Sequence, residues 1–215
     1  MDKMNYVILK KMKHEYDSMN KVAKASLWYT FSNFMQKFIV VMSVPIITRM
    51  ITSAEYGMYS VYSAWFEIIY NICTLALASG GYYVGMKKYL SRKYMYDSSI
   101  LSLCFCITFL LFAVFGFIPT IWTSIIQLPL SYIFPMLVGV LSGCPRDFWA
   151  VSERYELKYV KLVLVTLITS VGVLICQAGV LKLHIFSIDD NTLCVIWGGL
   201  IPSIIVGIPI FILIL

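Results

Sequence analysis

The chain has 215 residues, of which 60% are hydrophobic and only 13% are charged. Its net charge is +6 and its mean hydropathy is +0.82. Soluble domains carry about 25% charged residues, so this composition excludes an ordinary soluble protein and indicates an integral membrane protein.

The N-terminal segment, residues 1–24, is basic and is predicted to lie in the cytoplasm. It contains six lysines, and its apolar residues follow a helical spacing. An interfacial helix on anionic lipid would have this pattern, and so would a plain basic tail that sets the topology. Both interpretations stay open. The apolar stretch that follows has the length of a full membrane span, so we expect no cleaved signal peptide.

Residues 25–215 are predicted to form one all-α, polytopic membrane helix bundle. A helix needs about 20 apolar residues to cross a bilayer, and six windows of that kind are present. The sequence "TSAE", Thr52–Glu55, has the spacing of a capping box and predicts a helix start just before the second window. The predicted spans cover residues 26–48, 58–84, 98–118, 128–145, 159–181 and 193–214.

The distribution of Lys and Arg predicts the orientation. Of the 17 residues, six lie in residues 1–24, four in 87–93 and four in 146–161, all on the same side of the predicted bundle. The other side carries only Arg49 and Lys182. Cytoplasmic loops of membrane proteins are enriched in Lys and Arg, so both chain termini are expected to be cytoplasmic.

Polar side chains form stripes on the first two predicted spans. Residues three or four apart lie on one face of a helix, and both stripes follow that spacing. A weaker stripe on span five contains Thr166, Ser170 and Gln177. The stripe on span one consists of Ser26, Thr30, Asn33 and Lys37. The stripe on span two consists of Ser60, Ser63, Glu67, Asn71 and Thr74.

Lys37 and Glu67 are predicted to lie at the same depth, near the middle of the bilayer. Glu67 is the only acid predicted well inside a span. The two residues can form an ion pair that holds spans one and two in register, or they can belong to a polar path for substrate or protons. Ionisable residues inside a membrane are functional candidates. The predicted path consists of Lys37, Glu67, Asn33, Asn71 and Thr30.

The sequence predicts no cofactor and no metal site. His14 and His184 lie outside every predicted span, and most of the six cysteines lie inside apolar runs. Cysteines in such runs are expected to pack as small buried hydrophobic residues.

Several stretches resemble bacterial oligosaccharide flippases of the Wzx type, within the multidrug/oligosaccharidyl-lipid/polysaccharide exporter superfamily. In residues 37–69, "KFIVVMSVPIITRMITSAEYGMYSVYSAWFEII", a Pro-containing apolar segment is followed by the acidic-Tyr-Gly turn Glu55–Gly57 and a span rich in Tyr and Trp. The basic, Tyr-rich loop 87–99, "KKYLSRKYMYDSS", and the segment 153–159, "ERYELKY", also match. Their order and spacing carry the resemblance across residues 25–165.

The resemblance implies a transporter rather than an enzyme. Such a protein flips a polyprenyl-pyrophosphate-linked oligosaccharide across the bacterial inner membrane for synthesis of cell-surface polysaccharide such as O-antigen. Lys37 would then supply a central cation. A cytoplasmic rim would dock the pyrophosphate, although the same residues would also be explained as the topology signal. The rim consists of Arg146, Arg154, Lys158 and Lys161.

The chain departs from this family in having only six predicted spans, where the family has two such lobes. It looks like the N-terminal lobe of a MATE-like flippase, so we expect a partial or truncated chain. Its expected partners are the lipid bilayer, the lipid-linked glycan, and either a second six- to eight-span lobe or a second copy of the chain, with no nucleic acid. The alternatives are a multidrug or cation extruder of the same fold, an inactive fragment, and a membrane glycosyltransferase or polymerase.

Overall fold

A computed structural model describes residues 18–183 and 190–214. These residues are almost entirely helical and contain no strand, so the predicted all-α fold class is confirmed. A short bent segment, Pro119–Ile126, lies between α4 and α5. The helices are α1 (Lys21–Ile47), α2 (Ser53–Cys73), α3 (Gly81–Lys88), α4 (Lys93–Phe117), α5 (Ile133–Tyr155), α6 (Tyr159–Leu183) and α7 (Asn191–Ile214).

Within the described residues, four helices are long and apolar enough to cross a membrane. They are α1, α6, α7 and α4 with the turn before it, and they match predicted spans one, five, six and three. The segment Pro119–Ile126 and the segment Leu130–Tyr155 together make a fifth candidate if this pair, bent by 96°, counts as one span. A multi-pass membrane protein is therefore supported, with four or five candidate spans rather than the predicted six.

The second predicted span, 58–84, is wrong in its bounds. Helix α2 begins five residues earlier, at the predicted capping box, which is confirmed: the Thr52 amide donates to the Glu55 carboxylate at 2.6 Å, and the Glu55 amide donates to Thr52 Oγ1 at 3.3 Å. It ends at Cys73 because Leu75 and Ala76 adopt left-handed backbone angles, which an α-helix cannot contain. Helix α2 is not among the candidate spans.

The fourth predicted span, 128–145, is also wrong in its bounds. Helix α5 ends at Tyr155, ten residues beyond the predicted end, with Pro145 inside it. A proline followed by two charged residues usually indicates the end of an apolar helix. Here the helix continues because Arg146 and Asp147 find polar partners on neighbouring helices.

Helices α5, α6 and α7 pack together at the centre of the bundle, while α1 packs on α6 and α2 packs against α7, α4 and α5. Two glycines let α7 approach its neighbours closely. A Cβ atom at Gly207 would lie 2.4 Å from the carbonyl oxygen of Ser142 in α5, and one at Gly198 would lie 2.7 Å from the Cα of Gln177 in α6. Small residues serve this purpose at helix contacts in membranes.

The long helices alternate in direction, which gives the bundle two distinct ends. At one end, Trp28 stacks on Tyr159 with ring centroids 6.5 Å apart, and Lys93 pairs with Glu156. We call this the basic end. At the opposite end, the Asn191 amide donates to Glu55 at 2.8 Å.

The cysteines are free thiols in this fold. The expectation that they pack as small hydrophobic residues is confirmed for the four that are buried, whereas Cys106 is exposed and Cys176 is half-buried. The buried cysteines are Cys73, Cys104, Cys144 and Cys194.

Candidate functional site

A cavity of about 370 Å³ lies between α1, α5 and α6. Its lining is rich in polar and charged groups, which a helix bundle in a membrane does not need for packing alone. The polar and charged residues that line it are Gln36, Ser43, Arg146, Asp147, Arg154, Thr166, Thr169, Ser170 and Gln177.

A second cavity of about 220 Å³ lies between α2, α5, α6 and α7. Arg146, Val173 and Gln177 line both cavities, so we treat the two together as the central cavity. The side that α2 contributes is aromatic and includes Tyr59 and Tyr70. The central cavity thus has an aromatic wall and a wall of hydroxyl and amide groups, and Arg146 is common to its two parts.

Arg146 lies at mid-bundle. Its Nη1 donates a hydrogen bond of 3.2 Å to Ser203 Oγ, and Ser203 occupies the middle of the 24-residue helix α7. The predicted position of Arg146 on a cytoplasmic rim is therefore wrong. The error follows from ending the fourth span at residue 145, because α5 carries Arg146 well inside the bundle.

Asp147 contacts the side chains of Arg146 and Tyr70. Its Oδ1 lies 3.6 Å from Nε of Arg146, and its Oδ2 accepts a hydrogen bond of 2.6 Å from the Tyr70 hydroxyl. The two charged side chains retain 31% and 38% exposure, so they line an accessible cavity rather than a dry core. The acid that lies inside the bundle is therefore Asp147, which the span boundaries predicted from the sequence had left outside. The apolar pattern "FWAV", which continues after Asp147, was the signal that the helix had not ended.

The predicted ion pair between Lys37 and Glu67 is not formed. Both side chains are exposed, and neither makes an ion pair within the described part of the chain. The pair is absent because α1 packs mainly on α6 rather than beside α2. Lys37 follows Gln36, which does line the central cavity, but Lys37 itself does not.

The other predicted path residues also lie outside the central cavity. Thr30 and Asn33 are exposed on α1, and Asn71 is exposed on α2. The Thr30 hydroxyl donates to the Ser26 carbonyl at 2.9 Å, and the Asn71 amide donates to the Glu67 carbonyl at 2.8 Å. These bonds within one helix satisfy the two polar groups without a partner helix.

The weaker stripe on span five does reach the site. Thr166, Ser170 and Gln177 all line the central cavity. The Gln177 amide also donates to the Tyr59 hydroxyl at 3.4 Å, which links α6 to α2. The stripe that the sequence left open between helix packing and a polar path therefore forms one wall of the cavity.

The four predicted rim residues divide between two sites. Arg154 lines the central cavity together with Arg146, although it lies one residue from the end of α5. Lys158 and Lys161 line a separate groove at the basic end, where Lys158 contacts Glu156 at 2.5 Å.

No family model, curated protein or solved structure matches the chain. The chemistry of the central cavity is therefore the basis on which a function can be inferred. A guanidinium has five N–H donors, and Arg146 uses only some of them on Ser203 and Asp147. The remaining donors, with the hydroxyl and amide groups around them, suit an anionic ligand that also carries many hydroxyls.

Proposed function

We propose that this chain is one lobe of a membrane transporter that moves a polyprenyl-pyrophosphate-linked oligosaccharide across the bacterial inner membrane. The observation that carries the proposal is Arg146, a cation at mid-bundle in a cavity of about 370 Å³. A guanidinium binds phosphate oxygens in a bidentate manner, and hydroxyl and amide side chains bind sugar hydroxyls. The resemblance to Wzx-type flippases supports the same function.

The exposed polar stripes support a second lobe in this proposal. Lys37 and Glu67 are exposed near the middle of α1 and in the C-terminal half of α2, where charged groups are not expected to face hydrocarbon. Together with Thr30, Asn33 and Asn71, they would face a separate lobe or a second copy of the chain. The substrate path would then run between this face and the central cavity.

A cation or multidrug extruder of the same fold is the second candidate, and Asp147 favours it. The carboxylate of Asp147 lines the central cavity and accepts a hydrogen bond from Tyr70. In an extruder, Asp147 would bind the transported cation and Arg146 would only balance its charge. The two functions therefore assign the binding role to different residues.

The experiment is ligand binding by the purified chain in detergent, with geranylgeranyl pyrophosphate as the probe. Arg146→Gln is expected to weaken binding about tenfold or more, since a charge-assisted contact is lost. Asp147→Asn is expected to bind the probe at least as tightly as the wild type. Arg49→Gln, a change at an exposed residue of the opposite end, is the matched control and should have no effect.

Folding must be separated from binding in this experiment. The double variant Arg146→Gln/Asp147→Asn removes both charges and so leaves no unpaired ion, and the Tyr70 hydroxyl can still donate to the new amide oxygen. It should therefore stay folded in detergent, with a modest loss of stability, while binding the probe only weakly. Unchanged binding of the probe by this variant would refute the proposal. Loss of cation binding, rather than of pyrophosphate binding, in Asp147→Asn would favour the extruder.

We further infer that the basic end faces the cytoplasm, with both chain termini on that side, from the excess of Lys and Arg there. Cysteine labelling of intact cells tests this orientation, in a Cys106→Ser background because Cys106 is exposed. A membrane-impermeant maleimide should label Arg49→Cys in intact cells and Lys88→Cys only after permeabilisation. The reverse pattern would overturn the orientation.

A further inference from the structure

A groove of about 760 Å³ lies at the basic end of the bundle, where α4, α5, α6 and α7 converge. Only Trp149 and Val165 line both this groove and the central cavity. One side is an apolar wall from the C-terminal half of α7, and the other side is charged. The apolar wall consists of Ile205, Val206, Pro209, Ile210, Leu213 and Ile214.

Most of the charged side chains on the groove already have an ion-pair or hydrogen-bond partner within the described chain. Lys93 and Lys158 both contact the carboxylate of Glu156, each at 2.5 Å. Asp97 is only 6% exposed and accepts a hydrogen bond of 2.6 Å from the Tyr82 hydroxyl. These contacts account for two of the three lysines and two of the three acids on the groove.

The remaining charges are Lys161 and Glu153, which have opposite signs. They form no ion pair with each other or with another residue of the described chain. Glu153 is half-buried, and its Oε2 has no hydrogen-bond partner there. Oε2 itself is shielded from solvent, so a ligand would meet the carboxylate as a negative charge beside the groove rather than at this oxygen. Lys158 interacts with this charge electrostatically but is already bonded to Glu156, so a bound cation would still be favoured.

We propose that this groove binds a phospholipid whose headgroup carries a phosphate and a primary ammonium. Lys161 holds the phosphate, Glu153 accepts from the ammonium, and an acyl chain lies along the apolar wall of α7. Trp149 and Tyr94, which also line the groove, have the amphipathic rings that favour the level of lipid headgroups. A headgroup with a phosphate alone would provide no positive charge for Glu153 and would be repelled by its carboxylate. The two opposite charges of the groove therefore favour a zwitterionic headgroup.

The proposal is tested by native mass spectrometry of the purified chain, titrated with phosphatidylethanolamine, phosphatidylglycerol or phosphatidylcholine. Phosphatidylethanolamine is expected to bind most tightly, because its ammonium can donate hydrogen bonds to Glu153 whereas a trimethylammonium cannot. Lys161→Gln should weaken binding of all three lipids about tenfold. Glu153→Gln should weaken only phosphatidylethanolamine and so remove the preference.

Two controls localise the effect. Lys87→Gln changes an exposed lysine of the basic end that does not line the groove, and Arg146→Gln changes the central cavity; neither should alter phosphatidylethanolamine binding. Tighter binding of phosphatidylglycerol by the wild type would overturn the proposal, and so would an unchanged preference in Glu153→Gln. The proposed transport function is tested separately, by pyrophosphate binding to Arg146 variants. A failure of the lipid-binding proposal therefore does not count against it.

Discussion

The hydroxyl of Tyr70 in α2 donates a hydrogen bond of 2.6 Å to the carboxylate of Asp147 in α5. Two turns earlier on α2, the hydroxyl of Tyr62 is also buried but has no hydrogen-bond partner in the described chain. Both rings line the central cavity. The two tyrosines therefore lie on the same face of α2 and line the same cavity. They differ in that only the Tyr70 hydroxyl makes a hydrogen bond.

Replacing each tyrosine by phenylalanine should separate these roles. Tyr70→Phe is expected to lower the free energy of unfolding by about 1.5–3 kcal/mol, the range for a hydrogen bond to a charged group. Tyr62→Phe removes an unsatisfied hydroxyl and should be neutral or stabilising. Unfolding in detergent, followed by intrinsic fluorescence, measures both variants. Equal losses in the two variants would show that the bond to Asp147 contributes nothing.

The close contact of α7 with α5 predicts a large effect of one added methyl group. Gly207→Ala would place a Cβ 2.4 Å from the Ser142 carbonyl oxygen, a backbone atom that cannot move aside alone. We expect a loss of about 1–3 kcal/mol, as for overpacked cores. Gly179→Ala in α6 meets no atom within 4 Å and should gain about 0.5–1 kcal/mol from reduced backbone freedom in the unfolded chain. Thermal unfolding of both variants tests this contrast, and a tolerated Gly207→Ala would contradict the close contact.

Lys37 and Glu67 are predicted to act independently in the isolated chain. Lys37→Met and Glu67→Gln should change the free energy of unfolding additively, within about 0.5 kcal/mol, because no contact joins the two residues. The measurement is a double-mutant cycle on dilute protein in detergent. A larger coupling would mean that α1 and α2 meet at this depth after all.

Glu55 lies at the N-terminus of α2, outside the candidate spans. The hydrogen bond from the Thr52 amide, with smaller contributions from the Thr52 hydroxyl and the Asn191 side chain, holds the pKa of Glu55 below its ordinary value of 4.5. Because the pKa is lower in the folded state, Glu55 stabilises the fold above about pH 4.5, and this stabilisation is lost as the pH falls through the folded-state pKa.

Unfolding measured across this pH range should therefore distinguish Glu55→Gln from the wild type. The variant should be less stable at pH 7, and its stability should decline less steeply below pH 4.5. A constant difference between the two proteins from pH 7 to pH 3 would exclude the predicted linkage.

The hydropathy of the sequence was sufficient for the helices that contain long apolar runs. It placed α1, α4, α6 and α7 within a few residues, and the capping box placed the start of α2. Hydropathy did not give the ends of α2 and α5, because tertiary contacts and local backbone conformation determine where these helices end. The end of α2 depends on left-handed backbone at Leu75 and Ala76, two residue types that give no turn signal, and the length of α5 depends on partners for Arg146 that lie far along the chain.

The site was predicted in part for the same reason. Helical spacing shows which residues share a face, and Thr166, Ser170 and Gln177, which share one, line the central cavity. Spacing does not show which helix that face meets. The common depth that the sequence predicts for Lys37 and Glu67 does not bring them into contact, because α1 packs on α6.

The glycine contacts of α7 have a mechanical consequence. Backbone meets backbone at Gly207 and at Gly198, so at these two points no side chain lies between α7 and its neighbours that could change rotamer and let the helices slide. We therefore expect α7 to move together with α5 and α6, whereas α2 meets two glycines of α5 through the side chains of Phe66 and Tyr70. We therefore expect gating of the central cavity to come from tilting of α1 or α2. A covalent crosslink between α1 and α6 would arrest that tilting, and a crosslink between α6 and α7 would leave it free.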